Sequence, residues 1–177
     1  PYETIKRLIT ILTILSVTSI LDAQEYRLNE KGYFNYEGID AMAFDDFYPE
    51  GHQGGISFIM NGKRVATNGD IRFDETPGQW QPVPKKTGRV IEGNKIITTL
   101  CYPDSSRHET GFNPMVYPDV NLSYTVSLEP SGKGFLVTVD LDQPVPEELI
   151  GKAVFNLEFF PGELFGKPWI MDGKASI

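Results

Sequence analysis

The chain has a single cysteine, Cys101, among 177 residues. That excludes an internal disulfide and a cysteine-rich zinc site. Its two histidines, His52 and His108, are far from any Gly-x-Ser-x-Gly turn, because the sequence contains none. A serine-hydrolase triad therefore has no foothold. Basic residues are few and scattered: 16 against 24 acids, with no basic run longer than Lys85-Lys86. Nucleic acid needs a concentrated positive surface, so it is not an expected partner. Helical periodicity is nearly missing too. Only Pro146–Ile150 reads as a helical turn, with Pro at its start and Gly151 after its end. What remains is ordinary globular composition, 40% hydrophobic and 23% charged, punctuated by 17 glycines and 13 prolines.

One apolar run stands out, Leu8–Leu21, preceded by Lys6-Arg7 and followed by the small residue Ala23. A short positive region, an apolar stretch and a small residue for cleavage make a secretory signal peptide. As a helix the run spans roughly 21 Å, against a bilayer core of roughly 30 Å. Five of its residues are Thr or Ser, which weakens it further as a permanent membrane anchor. The expectation is a signal-peptide helix over 1–23, a folded domain over 24–177, and a secreted or periplasmic location. The chain opens on Pro1 and closes on Ile177 after an aromatic-rich segment. It reads as the front of a longer exported protein, with a fold incomplete at the C-terminus.

From Gly54 onward the pattern is that of strands and turns. Gly55–Met60 and Lys63–Thr67 flank Asn61-Gly62, a pair that accepts positive φ at both central positions of a type I′ hairpin turn. Asn94–Tyr102 is rich in β-branched residues. In Asn121–Leu128, Leu122, Tyr124, Val126 and Leu128 alternate with Ser123, Thr125 and Ser127, one face buried and one wet. After the turn at 131–134, Phe135, Val137, Val139 and Leu141 share one face. In Ala153–Phe159, Phe155, Leu157 and Phe159 share another. Residues 24–53 suggest a strand or two among loops, and Thr76–Lys86, with three prolines, a loop. Together these predict an all-β protein, an antiparallel β-sandwich.

Three strings carry a family resemblance: Phe44–Gly55 (FDDFYPEGHQGG), Pro77–Pro84 (PGQWQPVP) and Phe155–Lys167 (FNLEFFPGELFGK). Over roughly Tyr33 to Gly173 the chain resembles the N-terminal region of large secreted bacterial glycoside hydrolases of the family 9 cellulase type. The resemblance implies an accessory β-sandwich ahead of a catalytic α/α barrel that hydrolyses a β-glucan with inversion. No catalytic residue carries over. The family's Asp-Ala-Gly-Asp type motif is absent, and Asp45-Asp46 within Phe44–Phe47 does not replace it. The expected partner is the catalytic domain of the same parent chain.

Candidate chemistry is sparse. Asp45, Asp46 and Glu50, with His52, crowd one Gly/Pro-bounded stretch. Carboxylate oxygens are calcium ligands, although the spacing matches no cation-loop motif, and acids in such loops commonly cap turns. Trp80, Tyr48, Tyr117 and Trp169 lie in or near loops. Exposed rings stack on sugar faces, while loop aromatics beside prolines equally clamp a loop onto its sheet. Cys101 falls within a strand and reads as a small hydrophobe. The acids sit in turns or on wet strand faces, where none is expected to hold a proton at neutral pH. Three functions compete: an accessory domain bracing a glycoside hydrolase, a free-standing exported carbohydrate-binding module, and a complete enzyme. An apolar face left in water favours bracing; a pocket of convergent polar groups favours an enzyme.

Overall fold

A computed structural model describes residues 26–45, 55–73, 82–111 and 114–177. The expected signal peptide lies outside them, as do Asp46, Tyr48, Glu50, His52 and Trp80. The described chain is all-β and antiparallel. Strands β1 (Arg27–Leu28), β2 (Phe34–Tyr36), β3 (Ile39–Ala43), β4 (Ile56–Met60), β5 (Lys63–Phe73) and β10 (Ala153–Phe159) form a six-stranded sheet in the order β1-β2-β3-β4-β5-β10. Strands β6 (Lys85–Glu92), β7 (Lys95–Tyr102), β8 (Leu122–Ser131) and β9 (Gly134–Leu141) form a four-stranded sheet in sequence order. A separate ribbon pairs β11 (Trp169–Met171) with β12 (Lys174–Ser176).

Local chemistry accounts for the hairpins. Asn61 (φ 50°) and Gly62 (φ 79°) turn β4 into β5, and Met60 pairs with Lys63 across them. Both φ values are positive, as a type I′ turn requires. Asp172-Gly173 (φ 50° and 74°) does the same between β11 and β12. The Pro146–Ile150 turn is a single 3₁₀ turn over Glu147–Leu149. A short helix that the strand pattern misses, α1 (Pro161–Leu164), follows β10. Pro161 opens it at the first-turn position where a missing N–H costs nothing.

The two sheets share one hydrophobic cluster. Phe34, Ala41, Ile56, Ile71 and Phe73 come from the six-stranded sheet; Ile96, Leu100, Leu122, Tyr124, Val126 and Leu128 come from the other. The alternation of β8 is realised, since Leu122, Tyr124, Val126 and Leu128 are all buried. Phe135 of β9 packs its ring 4.5 Å from Tyr26, 5.4 Å from Phe34 and 5.7 Å from Phe58. Each such pair adds roughly 0.5–1.5 kcal/mol beyond area burial.

Polar ties also join the sheets. Arg89 of β6 donates from Nε to the Ala43 carbonyl at 3.1 Å and from Nη2 to the Gly32 carbonyl. Asn94 donates to the Tyr26 carbonyl at 2.7 Å and accepts from the Leu28 N–H. Tyr102 donates its hydroxyl to the Ile71 carbonyl at 2.7 Å. Each tie satisfies a main-chain group that would otherwise be lost from water.

One strand departs from expectation. β10 is the terminal strand of its sheet, and only Ala153 of it packs against the core. Phe155 and Phe159, expected to face the interior, are 40% and 61% exposed. Alternation puts them on one face, but among the described residues no second layer covers that face at the sheet's end. Leu141, at the end of β9, is likewise 43% exposed.

Candidate functional site

The aromatic candidates separate. Tyr117 is buried. Its hydroxyl donates to the Val83 carbonyl at 2.8 Å, and burial raises its pKa. It clamps the segment between β7 and β8 against the approach to β6, so its ring face is not available to a sugar. Trp169 is on β11 and 48% exposed. Among the calcium candidates, Asp45 is described. Its carboxylate is paired with Lys86 and, at 3.1 Å, with Arg89 Nε. Lys86 also donates to the Phe44 carbonyl at 3.1 Å. Asp45 thus joins the end of β3 to β6. Among the described residues no group of three or more His, Cys, Asp or Glu side chains is placed to hold a metal ion. No helix among them is long and apolar enough to cross a membrane.

Two features were not legible as sites. The first is an apolar surface on the last 25 residues. Phe155 and Phe159 of β10, Phe165 after α1 (88% exposed), and Trp169, Ile170 and Met171 of β11 all stand in water. α1 is moored to β5 by the Phe160 N–H to the Val65 carbonyl at 3.0 Å and by Lys63–Glu163 at 2.8 Å. Taking about 200 Å² per aromatic ring, the four rings alone leave roughly 450 Å² exposed. At about 25 cal/mol per Å² that is on the order of 10 kcal/mol of unrealised burial. Single exposed apolar residues mean little; here six fall within residues 155–171.

The second is a charge cluster at the β5–β10 junction. Asp70 and Arg72 alternate with Ile71 and Phe73 along β5. Ile71 and Phe73 enter the core; Asp70 and Arg72 lie on the opposite face, and they too are buried. The Arg72 guanidinium grips the carboxylate with Nε on Oδ1 and Nη2 on Oδ2, the latter at 3.2 Å. Burial pushes the Asp70 carboxyl up to about 6, against the pull of Arg72; Glu158 adds a smaller push in the same direction. At Arg72 burial opposes the charge, but the attraction of Asp70 outweighs it, so the guanidinium stays charged. Tyr102 and Tyr124, raised above the ordinary tyrosine range chiefly by burial, also feel this pair and remain protonated.

Beside the pair the β5–β10 register slips between Asn156 and Glu158. There Asn68 adopts φ 56°, donates to Glu158 Oε2 at 3.0 Å, and accepts from Asn156 Nδ2 at 3.1 Å. Bulges of this kind bend a strand and re-aim its side chains.

Asp70 corrects the expectation that every acid is solvated. As a glycosidase acid it is nevertheless blocked, because a general acid must reach the leaving oxygen. Asp70 is 1% exposed and both its oxygens are held by Arg72. The pair ties two positions of β5 to each other, while Asn68 ties β5 to β10; the pair cannot deliver a proton to a substrate as it stands. Comparison with family models, with curated proteins and with solved structures finds no match to the chain.

Proposed function

We propose that the chain is the N-terminal accessory β-sandwich of an exported glycoside hydrolase acting on a plant-type β-glucan. In this reading the six- and four-stranded sheets are the two layers of the sandwich, and the catalytic domain belongs to the same parent protein. The observation that carries the reading is the apolar surface of β10, α1 and β11. Phe165 and Ile170 are 88% and 76% exposed, and such side chains gain free energy only when another surface covers them. The family resemblance names the surface: a catalytic barrel. The domain braces that barrel and adds no acid–base chemistry of its own.

The coding sequence beyond Ile177 tests this. A continuation of barrel length carrying paired catalytic carboxylates is expected; an immediate stop would end the proposal. A second reading, a free-standing carbohydrate-binding module, rests on the half-exposed Trp169. Affinity electrophoresis in soluble β-glucan separates the two. Retardation that Trp169→Ala abolishes supports the binding module, and unretarded migration supports bracing.

A further inference from the structure

Between β7 and β8 the chain runs through a long connection closed by a histidine. The backbone N–H of Tyr117 donates to His108 Nδ1 at 3.1 Å. The two limbs meet at a bridge between His108 and Met115, with the Glu109 N–H donating to the Met115 carbonyl at 2.9 Å. Tyr117 is then held at its other end by the hydroxyl bond to Val83. So one residue, fixed at both ends, couples this connection to the segment that leads into β6.

The acceptor is what makes the closure conditional. A ring nitrogen accepts a hydrogen bond only while it carries no proton. With Nδ1 accepting, the neutral ring has its proton on Nε2, which faces Glu109 Oε1 at 3.9 Å. We infer that His108 is a proton-operated latch on this connection: neutral, it holds the Tyr117 amide; protonated, it releases it. Proton uptake at Nδ1 sets two N–H donors against each other, and the imidazolium then turns toward Glu109. Histidine is the side chain suited to this, since its ring changes charge within about pH 5–8.

Among the described residues the groups around the latch are few. Glu109 lies on the same limb, its carboxylate 3.9 Å from Nε2. Asp104 and Arg107, one turn earlier, are paired with each other at 3.3 Å. Tyr117 faces the ring from the returning limb, with centroids 6.3 Å apart, and it feels Asp104, Arg107 and the more remote Arg72. Asp104 is occupied twice over. Its Oδ1 accepts from the Ser106 N–H and hydroxyl, and its Oδ2 faces Arg107. Neither Asp104 nor Arg107 needs to change charge for the latch to open.

The test is amide hydrogen exchange on the full chain, read by NMR between about pH 8 and pH 5. After correction for intrinsic exchange, protection of the Tyr117 amide is expected to fall about tenfold as the His108 ring takes up its proton, the loss of one hydrogen bond. His108→Asn offers a carbonyl oxygen at a similar reach and does not titrate, so Tyr117 should stay protected throughout. Constant Tyr117 protection in the native chain while the His108 ring signals titrate overturns the inference. So does a pH response that survives His108→Asn unchanged.

Discussion

Arg72→Met tests the buried charge pair of β5 directly. It removes the cation that grips both oxygens of Asp70 and leaves a carboxyl that is 1% exposed. Breaking a buried pair by deleting one partner costs about 3–5 kcal/mol, because the survivor is stranded without water. Replacing both partners with apolar side chains of similar volume is often neutral or stabilising. The single variant Arg72→Met should therefore lose about 3–5 kcal/mol at neutral pH, while Asp70→Leu combined with Arg72→Met recovers most of it. With a urea m-value near 2 kcal/mol per molar, the single change lowers the unfolding midpoint by roughly 2 M.

Acid adds a signature. Asp70 stands at about 6 in the fold against 3.8 as a free side chain. The folded state thus binds the extra proton between those values. Asp70's contribution is greatest below about pH 4 and is lost as pH rises through about 6, worth about 3 kcal/mol across the window. Its sign is opposite to ordinary acid denaturation. In Arg72→Met the stranded carboxyl takes its proton more readily still, so the penalty should shrink between about pH 7 and pH 5. Urea unfolding at those two pH values, followed by tryptophan fluorescence, measures all of this. Additive losses in the double variant, or a penalty under about 1 kcal/mol with no pH dependence, would refute the buried-pair reasoning.

Three further outcomes follow from the same packing. Thr98 is fully buried and its hydroxyl has no hydrogen-bond partner, so Thr98→Val should leave stability unchanged or raise it by about 1 kcal/mol in the same urea assay. A Cβ added at Gly69 would stand 2.7 Å from Ile56 Cβ, whereas at Gly88 its nearest neighbour is 3.7 Å away; thermal melts should show Gly69→Ala losing about 1–3 kcal/mol and Gly88→Ala almost nothing. Tyr102→Phe strips the donor from the Ile71 carbonyl and should cost about 1–3 kcal/mol by urea unfolding, while circular dichroism keeps its strand signature.

Alternation along a strand reports which side chains share a face. It does not report whether that face is covered. In β8 the two coincide, because the strand lies between two neighbours and beneath the other sheet's core residues. In β10 they part. Phe155 and Phe159 share a face as read, yet at the sheet's end nothing among the described residues buries them. β5 fails in the opposite sense. The run expected to end at Thr67 continues to Phe73, and over the added residues Asp70 and Arg72 on one face are buried as well as Ile71 and Phe73 on the other. β6 was invisible for a related reason. Its inward residue Arg89 is an arginine that meets main-chain carbonyls of the other sheet, and no hydrophobic pattern marks such a contact. The hairpin at Asp172-Gly173 was legible in principle. The dipeptide is the right signal, hidden only because the flanking strands have three residues each.

That ribbon bears on function through its own energetics. An isolated two-stranded hairpin is at best marginally stable in water, since three or more strands or a covering element are needed to pay for its ordering. β11 and β12 pair only with each other, and all six of their residues are exposed. Trp169 and Met171 share one face of the ribbon and Ile170 lies on the other, side chains as apolar as those with which β8 fills the core, yet here all three are exposed. The difference is that among the described residues no second layer covers the ribbon. A bracing domain supplies a reason for such a ribbon, because the covering surface would contribute the burial that the two strands lack. A carbohydrate site on the same ribbon would use Trp169 but leave Ile170 and Met171 unexplained, since glycan hydroxyls gain nothing from them. Of the two readings, bracing gives Met171 a physical role beside Trp169 on the face they share.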